Sequence, residues 1–288
     1  MIPILDTHAH MLYLDKFSYP WCEQVSELNK EFVLDDYMKL TDSKGVGGSI
    51  FMEADVAEAD MTGEAKFFSQ LVKEKNNPLL GVVAACRPEQ DNFHQQLESS
   101  LTDSVCGVRR ILHNQPDELS KSSLFRRHIR ALADHHLPFD ICVLGSQLSV
   151  AYELAYACPS NKFVLDHCGN PSMNSDDFDS WKADMDRLAT LPHVSCKLSG
   201  ILANCQPPDD ADFDALRPWL EATVEAFGCD RIIWGSDWPV CNLTSTLSEW
   251  LTMTRQFVSV YSEYEQKSML YENAEVIYQV QLPEGSAE

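Results

Sequence analysis

The 288-residue sequence predicts an α/β protein, a single-domain (β/α)8 TIM barrel. Eight short apolar runs recur along the chain, and stretches with apolar residues at helical spacing separate most of them. Each run is rich in Val, Ile, Phe or Leu and is bounded by Gly, Pro, Asn or Asp, as a buried strand should be. Because near-continuous apolar runs are typical of parallel strands covered on both faces, their alternation with helices favours a barrel.

The eight predicted strands can be read directly from the sequence. They are IPILD at 2–6, GGSIFME at 47–53, LLGVVAAC at 79–86, VCGVRRIL at 105–112, LPFDICVL at 137–144, KFVLDH at 162–167, HVSCKLS at 193–199 and DRIIWGSD at 230–237. The alternative fold is an open doubly wound sheet, but no G-x-G-x-x-G follows the first strand.

Six stretches between these runs predict helices. They are DDYMKLTDSKG at 35–45, MTGEAKFFSQLVKEKNN at 61–77, SLFRRHIRALADHHL at 123–137, SWKADMDRLATL at 180–191, FDALRPWLEATVEAFG at 213–228 and TLSEWLTMTRQFVSVY at 246–261. We expect residues 1–280 to form the barrel and residues 281–288 to form a flexible C-terminal tail.

The charge balance excludes some classes of partner. Forty-four acidic and 22 basic residues give a formal net charge of −22, which argues against nucleic acid as a partner and favours a neutral small molecule.

No apolar run is long enough to span a membrane, and MIPILDTHAH does not look like a secretory signal. The ten cysteines form no C-x-x-C pair, so we expect reduced thiols in a cytoplasmic protein. The number of subunits stays open, a homo-oligomer included.

The segment ILDTHAH places His8 and His10 where the first strand ends. Residues i and i+2 of a strand point to the same face, so both imidazoles should converge on one side. In a closed barrel the last strand lies beside the first, which brings Asp237 next to them. Two imidazoles and a carboxylate can hold a divalent ion such as Zn²⁺. They can equally orient water and substrate without a metal.

Other polar residues also follow strand ends, where barrel enzymes carry their active sites. From these positions we expect Arg109, His113, Glu53 and Asp140 to contact substrate or to brace the site. Trp21, in the long connection after the first strand, is expected to form a wall of the pocket. Lys197 is equally suited to a buried ion pair and to a substrate contact.

Five motifs together resemble the amidohydrolase superfamily: DTHAH, GVRRIL, FVLDHCGNP, VSCKLSG and IIWGSDWPV. Within it, they are similar to the amidohydrolase 2 lactonases that include L-fuconolactonase and L-rhamnonolactonase. The resemblance implies a (β/α)8 barrel in which Asp237 is the general base, with His8, His10 and His167 around the reacting carbonyl. It covers residues from about 2 to 280.

The sequence also departs from this family. The fourth strand reads VRRILH, without the lysine of binuclear members, and the fifth reads PFDICV, without the histidine of many mononuclear ones. Asn170 stands where a lysine is common in sugar lactonases. Both a zinc ion on His8, His10 and Asp237 and a metal-free site therefore stay open.

These features predict a hydrolase that opens a sugar-acid lactone, of the L-fuconolactone or L-rhamnonolactone kind. Water activated by Asp237 would attack the lactone carbonyl. Two alternatives remain: a metal-dependent decarboxylase of the same superfamily, and a barrel that binds a sugar acid without turning it over.

Overall fold

The computed structural model describes residues 1–173, 175–205 and 211–285. Within these residues, eight strands form one parallel sheet whose order follows the chain from β1 to β8. The strands are β1 (Ile4–Ala9), β2 (Val46–Met52), β3 (Leu79–Ala85), β4 (Val105–Ile111), β5 (Phe139–Cys142), β6 (Phe163–Leu165), β7 (Val194–Leu198) and β8 (Ile232–Trp234). The predicted barrel is confirmed, because a doubly wound sheet would reverse its strand order.

Helices follow the strands along the chain. They are α1 (Leu34–Thr41), α2 (Met61–Val72), α3 (Phe93–Ser100), α4 (Glu118–Lys121), α5 (Ser123–Ala131), α6 (Leu148–Ala157), α7 (Phe178–Ala189), α8 (Phe213–Phe227), α9 (Leu247–Val258), α10 (Glu263–Lys267) and α11 (Asn273–Tyr278), with a π-helical segment at Ser268–Glu272. The sequence patterns did not predict α3, α4, α6, α10 or α11. No helix among the described residues is both long and apolar enough to cross a membrane.

The barrel closes where the segment after β8 meets β1. The backbone N–H of Asp237 donates to the carbonyl of His8 at 2.7 Å, and that of His10 donates to the carbonyl of Trp238 at 2.7 Å. These two bonds place the Asp237 backbone beside both histidines, as the sequence predicts.

The carboxylate of Asp6 braces this closure from outside the barrel. Its Oδ1 accepts hydrogen bonds from the backbone N–H of Ser236 at 2.8 Å and of His8 at 3.1 Å. Its Oδ2 accepts from the hydroxyl of Tyr37, on α1, at 2.7 Å. One buried carboxyl group therefore joins β1, the end of β8 and the first helix.

An irregularity in β1 turns the two histidines into the barrel. Leu5 packs in the barrel interior while Asp6 faces α1, so strict alternation would turn His8 outward. The pairing of β1 with β2 shifts register between Asp6 and Ala9. As a result, the side chains of His8 and His10 face the interior.

The floor of the barrel is apolar and is closed by the C-terminal helix. The cluster there comprises Leu5, Ile50, Met52, Val83, Val164, Ile233, Ala274 and Tyr278. Beyond α11, the backbone N–H of Leu282 donates to Glu275 at 2.7 Å. The last three residues of the expected tail, 286–288, lie outside the described residues, and the division of the chain at residue 280 stays a prediction.

The brace at Asp6 can be tested with Tyr37→Phe. Because this change leaves the buried Asp6 Oδ2 without its donor, we expect the free energy of unfolding to fall by about 1–3 kcal/mol. Denaturant unfolding followed by circular dichroism measures it. Tyr264→Phe, at a tyrosine that is 67% exposed, is the control and should change stability by less than about 0.5 kcal/mol. Equal stability of the two variants would contradict the bracing role.

Candidate active site

The tautomers of His8 and His10 follow from their neighbours. Nδ1 of His10 lies 3.0 Å from the carbonyl oxygen of Met52, which can only accept, so Nδ1 carries the proton. Nε2 of His8 lies 3.1 Å from Nη1 of Arg109, which can only donate, so Nε2 of His8 carries a lone pair. Burial holds the pKa of His8 well below its usual range, and the ring is neutral.

The two Nε2 atoms and Asp237 form a triangle of electron-rich atoms, which we call the lone-pair triangle. Nε2 of His8 lies 3.2 Å from Nε2 of His10 and 3.7 Å from Oδ1 of Asp237. Nε2 of His10 lies 3.4 Å from the same oxygen. Facing lone pairs repel unless a proton or cation lies among them. The triangle therefore has the chemistry of a proton-binding or cation-binding site.

A third imidazole, His167, lies beside the triangle. One of its ring nitrogens lies within 4.8 Å of ligand atoms of His8 and Asp237, while its Nδ1 is 2.9 Å from the hydroxyl of Ser199. Gly200 makes room for this ring: it has a φ of +60°, and a Cβ there would lie 2.1 Å from Nδ1 of His167. The glycine after β7 is thus required for the placement of His167.

Arg109 is held by carboxylates on either side. Its Nε donates to Oε1 of Glu53 at 2.6 Å, and its Nη2 donates to the Glu53 carbonyl at 2.8 Å. Its Nη1 lies 3.4 Å from Oδ2 of Asp166. Burial alone would raise the pKa of Glu53, but the guanidinium holds it below its usual value.

Lys197, on β7, is fully buried between two carboxylates. Its Nζ donates to Oδ2 of Asp140 at 2.7 Å and lies 3.1 Å from Oδ1 of Asp166. The hydroxyl of Tyr278 also donates to Oδ2 of Asp140, at 2.7 Å. Burial raises the pKa of Asp140 to about 6 even though Lys197 opposes the shift. This ion-pair group separates the apolar floor from the residues above.

Carboxylates outnumber cations in this part of the barrel. The carboxylates are Glu53, Asp140, Asp166 and Asp237, and the cations are Arg109 and Lys197. Because the histidines turn lone pairs toward one another, the excess of negative charge is concentrated near the triangle. An added cation would be stabilised there.

The triangle opens into a cavity of about 280 Å³, close to the lower limit of roughly 300 Å³ for small-molecule sites. The cavity is lined by His10, Trp21, Ala54, Asp55, Arg109, Ile111, His113, Asn114, Cys142, His167, Asn170, Gly200, Ala203, Asn204, Asp237 and Val240. Amides and imidazoles dominate its polar lining, and Arg109 is the one cation among these residues.

Most residues selected from the sequence meet at this cavity. Its wall includes His10, His167, Asp237, Arg109, His113 and Trp21, and His8 lies directly behind His10. The indole N–H of Trp21 donates to the carbonyl of Ala54 at 2.8 Å, which fixes the ring in the wall.

The sequence-based prediction that Glu53 and Asp140 contact substrate is not supported by their positions. Neither lines the cavity, and both are buried. The carboxylate of Glu53 is engaged by Arg109 and by the backbone N–H of Asp55. Asp140 lies deeper, against Lys197. Both carboxylates support neighbouring cations, which agrees with the bracing role that the sequence left open for them.

Several cavity residues received no role from the sequence. They are Asp55, Asn114, Cys142, Asn170 and Asn204. Position at a strand end was the available signal for Cys142, the last residue of β5, and for Asp55, just after β2. The same signal marks Asp166, which contacts both buried cations.

A family model described as amidohydrolase matches residues 5–280 of the chain. The chain belongs to this family. It is 25% identical over 282 residues to the L-fucono-1,5-lactonase of Burkholderia multivorans, covering 93% of this chain and 92% of that protein. It is 23% identical over 295 residues to the L-rhamnono-gamma-lactonase of Scheffersomyces stipitis, covering 83% and 85%.

Solved structures of other proteins share the fold. An amidohydrolase from Burkholderia multivorans with bound zinc superposes with a TM-score of 0.87 at 24% identity, covering 97% of this chain and all of the other. A 2,6-dihydroxybenzoate decarboxylase superposes with a TM-score of 0.68 at 12% identity, covering 97% of this chain and all of the other. At these identities the likeness concerns the barrel alone.

Proposed function

We propose that this amidohydrolase opens the lactone of a six-carbon sugar acid, of the L-fucono or L-rhamnono series, by hydrolysis. The observation that carries the proposal is the lone-pair triangle at the wall of a cavity sized for one small ring. The lactonase names of two relatives support the choice of a lactone.

The cavity lining favours a neutral, hydroxyl-rich substrate. Its amides, at Asn114, Asn170 and Asn204, both donate and accept hydrogen bonds, as sugar hydroxyls require. Its one cation, Arg109, is already paired with Glu53 and Asp166. An anionic substrate would find no uncommitted cation among the described lining residues, and the chain as a whole is strongly acidic.

Asp237 is our choice for the general base. Its Oδ1 faces the two histidines, and no hydrogen bond among the described residues engages its Oδ2, so this oxygen can hold water at the cavity wall. As the water oxygen bonds to the lactone carbonyl carbon, its proton passes to Asp237. The ring C–O bond then breaks, and the departing oxygen takes up a proton to give the open hydroxy acid.

Imidazole groups lie near the place where negative charge would develop during hydrolysis. His167 lines the cavity beside Asp237 and is fixed by Ser199, which suits it to donate to the oxyanion or to the departing oxygen. Arg109 also reaches the wall, where a guanidinium N–H can contact a ring hydroxyl. His113 and Trp21 also line the cavity and would position the ring.

The triangle also fits a zinc ion. In a tetrahedral site with Zn–N distances of about 2.0–2.1 Å, ligand atoms lie roughly 3.3 Å apart, and the triangle has edges of 3.2, 3.4 and 3.7 Å. His8, His10 and Asp237 would hold the metal. The excess of buried carboxylates over buried cations also favours a bound cation at this place. When bound there, zinc supplies Lewis-acid polarisation of a carbonyl oxygen.

The base assignment predicts the effect of Asp237→Asn. Since an amide cannot accept the proton from water, kcat should fall by about 10²–10⁴-fold with little change in thermal stability. A pH-indicator assay of acid release from L-fuconolactone and L-rhamnonolactone measures it. Carbon dioxide release from an aromatic acid, without lactone opening, would instead support the decarboxylase alternative.

Asp55→Asn is the matched control for that variant, since Asp55 is a second carboxylate on the same cavity wall. It loses the same charge without touching the triangle, so KM should change more than kcat. If Asp237→Asn retains wild-type turnover, or if both variants lose kcat equally, Asp237 is not the base.

Metal binding is tested with His10→Ala. Removing one of three ligands should lower zinc affinity by at least about 100-fold, because the two remaining atoms cannot complete the site. Elemental analysis and competitive titration of the purified protein measure it, with about one zinc per chain expected for the wild type. His113→Ala removes a cavity imidazole outside the triangle and should leave affinity unchanged. Full activity after complete removal of metal would favour metal-free hydrolysis.

A further inference from the structure

Asp166 is the buried carboxylate next to the inner face of His8. Its Oδ1 lies 3.4 Å from Nδ1 of His8, on the opposite side of the ring from the triangle. Both side chains are fully buried. The function proposed above uses Nε2 of His8 and leaves the Nδ1 side unexplained.

We propose that Asp166 is a positioning residue that keeps the proton of His8 on Nδ1, so that Nε2 presents its lone pair to Asp237 and His10. A neutral imidazole has one N–H and one lone pair, and a carboxylate against Nδ1 determines which nitrogen holds the proton. The consequence for turnover rests on the proposed function, whereas the tautomer itself does not.

Two buried cations keep the carboxyl group of Asp166 ionised, so that it can accept a hydrogen bond. Lys197 lies 3.1 Å from its Oδ1 and Arg109 lies 3.4 Å from its Oδ2. Burial alone would raise the pKa of Asp166, but Lys197 holds it well below its usual range. The carboxyl group therefore stays ionised and can only accept hydrogen bonds.

Lys197 also lies close to His8 but cannot take over this role. Its Nζ is 3.3 Å from Nδ1 of His8, and an ammonium group only donates, so it would favour a lone pair on Nδ1. That tautomer would place an N–H on Nε2, directly against the N–H of Arg109 at 3.1 Å. Because two N–H groups cannot satisfy each other, the contact with Arg109 favours the tautomer that keeps the proton on Nδ1, toward Asp166.

The variant Asp166→Asn tests this assignment with little change in shape. The new amide can donate to Nδ1 of His8, which would move the proton to Nε2 and remove a lone pair from the triangle. We expect kcat for lactone opening to fall by about 100-fold or more, in line with the loss of groups that orient a catalytic or ligating histidine.

Asp140→Asn is a matched control within the same ion-pair group. Asp140 is also fully buried and also pairs with Lys197, at 2.7 Å, but its side chain is bonded to Lys197 and Tyr278 rather than to His8. This variant should keep the His8 tautomer and lose less than about tenfold in kcat.

The decisive readout is the ¹⁵N spectrum of the histidine rings, recorded on the full chain after bound metal has been removed. Long-range ¹H–¹⁵N correlations distinguish the two tautomers, and His8→Gln identifies the His8 signals. We expect the Nδ1–H tautomer in the wild type and in Asp140→Asn, and the Nε2–H tautomer in Asp166→Asn. Thermal unfolding of each variant confirms that it is folded.

Two outcomes would overturn the proposal. One is an unchanged His8 tautomer in Asp166→Asn, and the other is an equal change of tautomer in both variants, as a purely structural ion-pair group would give. If the wild type opens no lactone at all, the proposed function fails, while the spectra still decide the role of Asp166. The two failures are therefore distinguishable.

Discussion

The closure of the barrel between β8 and β1 is the constraint on which the rest of the site depends. Two backbone hydrogen bonds join the Asp237 segment to the His8 and His10 segment. They bring together residues that are more than 220 positions apart in the sequence. Since Asp6 braces both sides of this junction from outside the barrel, a disturbance of the junction would displace the base and both imidazoles together.

The charged residues of the barrel interior give this arrangement its electrostatic character. Buried ion pairs of this kind are costly to desolvate and add little to stability by themselves. Here they fix orientation: Arg109 requires a lone pair on Nε2 of His8, and Lys197 keeps Asp166 ionised. The excess of carboxylates over cations then makes the neighbourhood of the triangle favourable for a proton or a divalent cation. The buried ion pairs thus act on the chemistry of the site through the tautomer of His8.

Much of the architecture could be predicted from the sequence, because strand patterns are local. All eight apolar runs became strands, and the approach of Asp237 to His8 follows from barrel closure alone. Helix α6 was missed because apolar and aromatic residues fill almost all of LSVAYELAYA, with Ser149 and Glu153 as its other residues, so no clear polar face stands out. Helix α3 was missed because it is eight residues long and buries few apolar side chains.

The finer features of the site depend on contacts that no local pattern records. The register shift in β1 decides that His8 faces inward, and it is invisible in the spacing of H-x-H. Glu53 and Asp140 stand at or near strand ends like true cavity residues, yet each is engaged by a cation from another strand. The role proposed for Asp166 likewise emerges only when β1, β4, β6 and β7 are brought together.

The most direct measurement is a crystal structure of the protein with an aldonolactam, in which nitrogen replaces the ring oxygen and hydrolysis is blocked. We expect the lactam carbonyl to lie against the lone-pair triangle, with its carbon within about 3.5 Å of a water held by Asp237. Ring hydroxyls should contact the amides of the cavity wall. A ring bound with its carbonyl turned away from His10 and Asp237 would contradict the proposed mechanism.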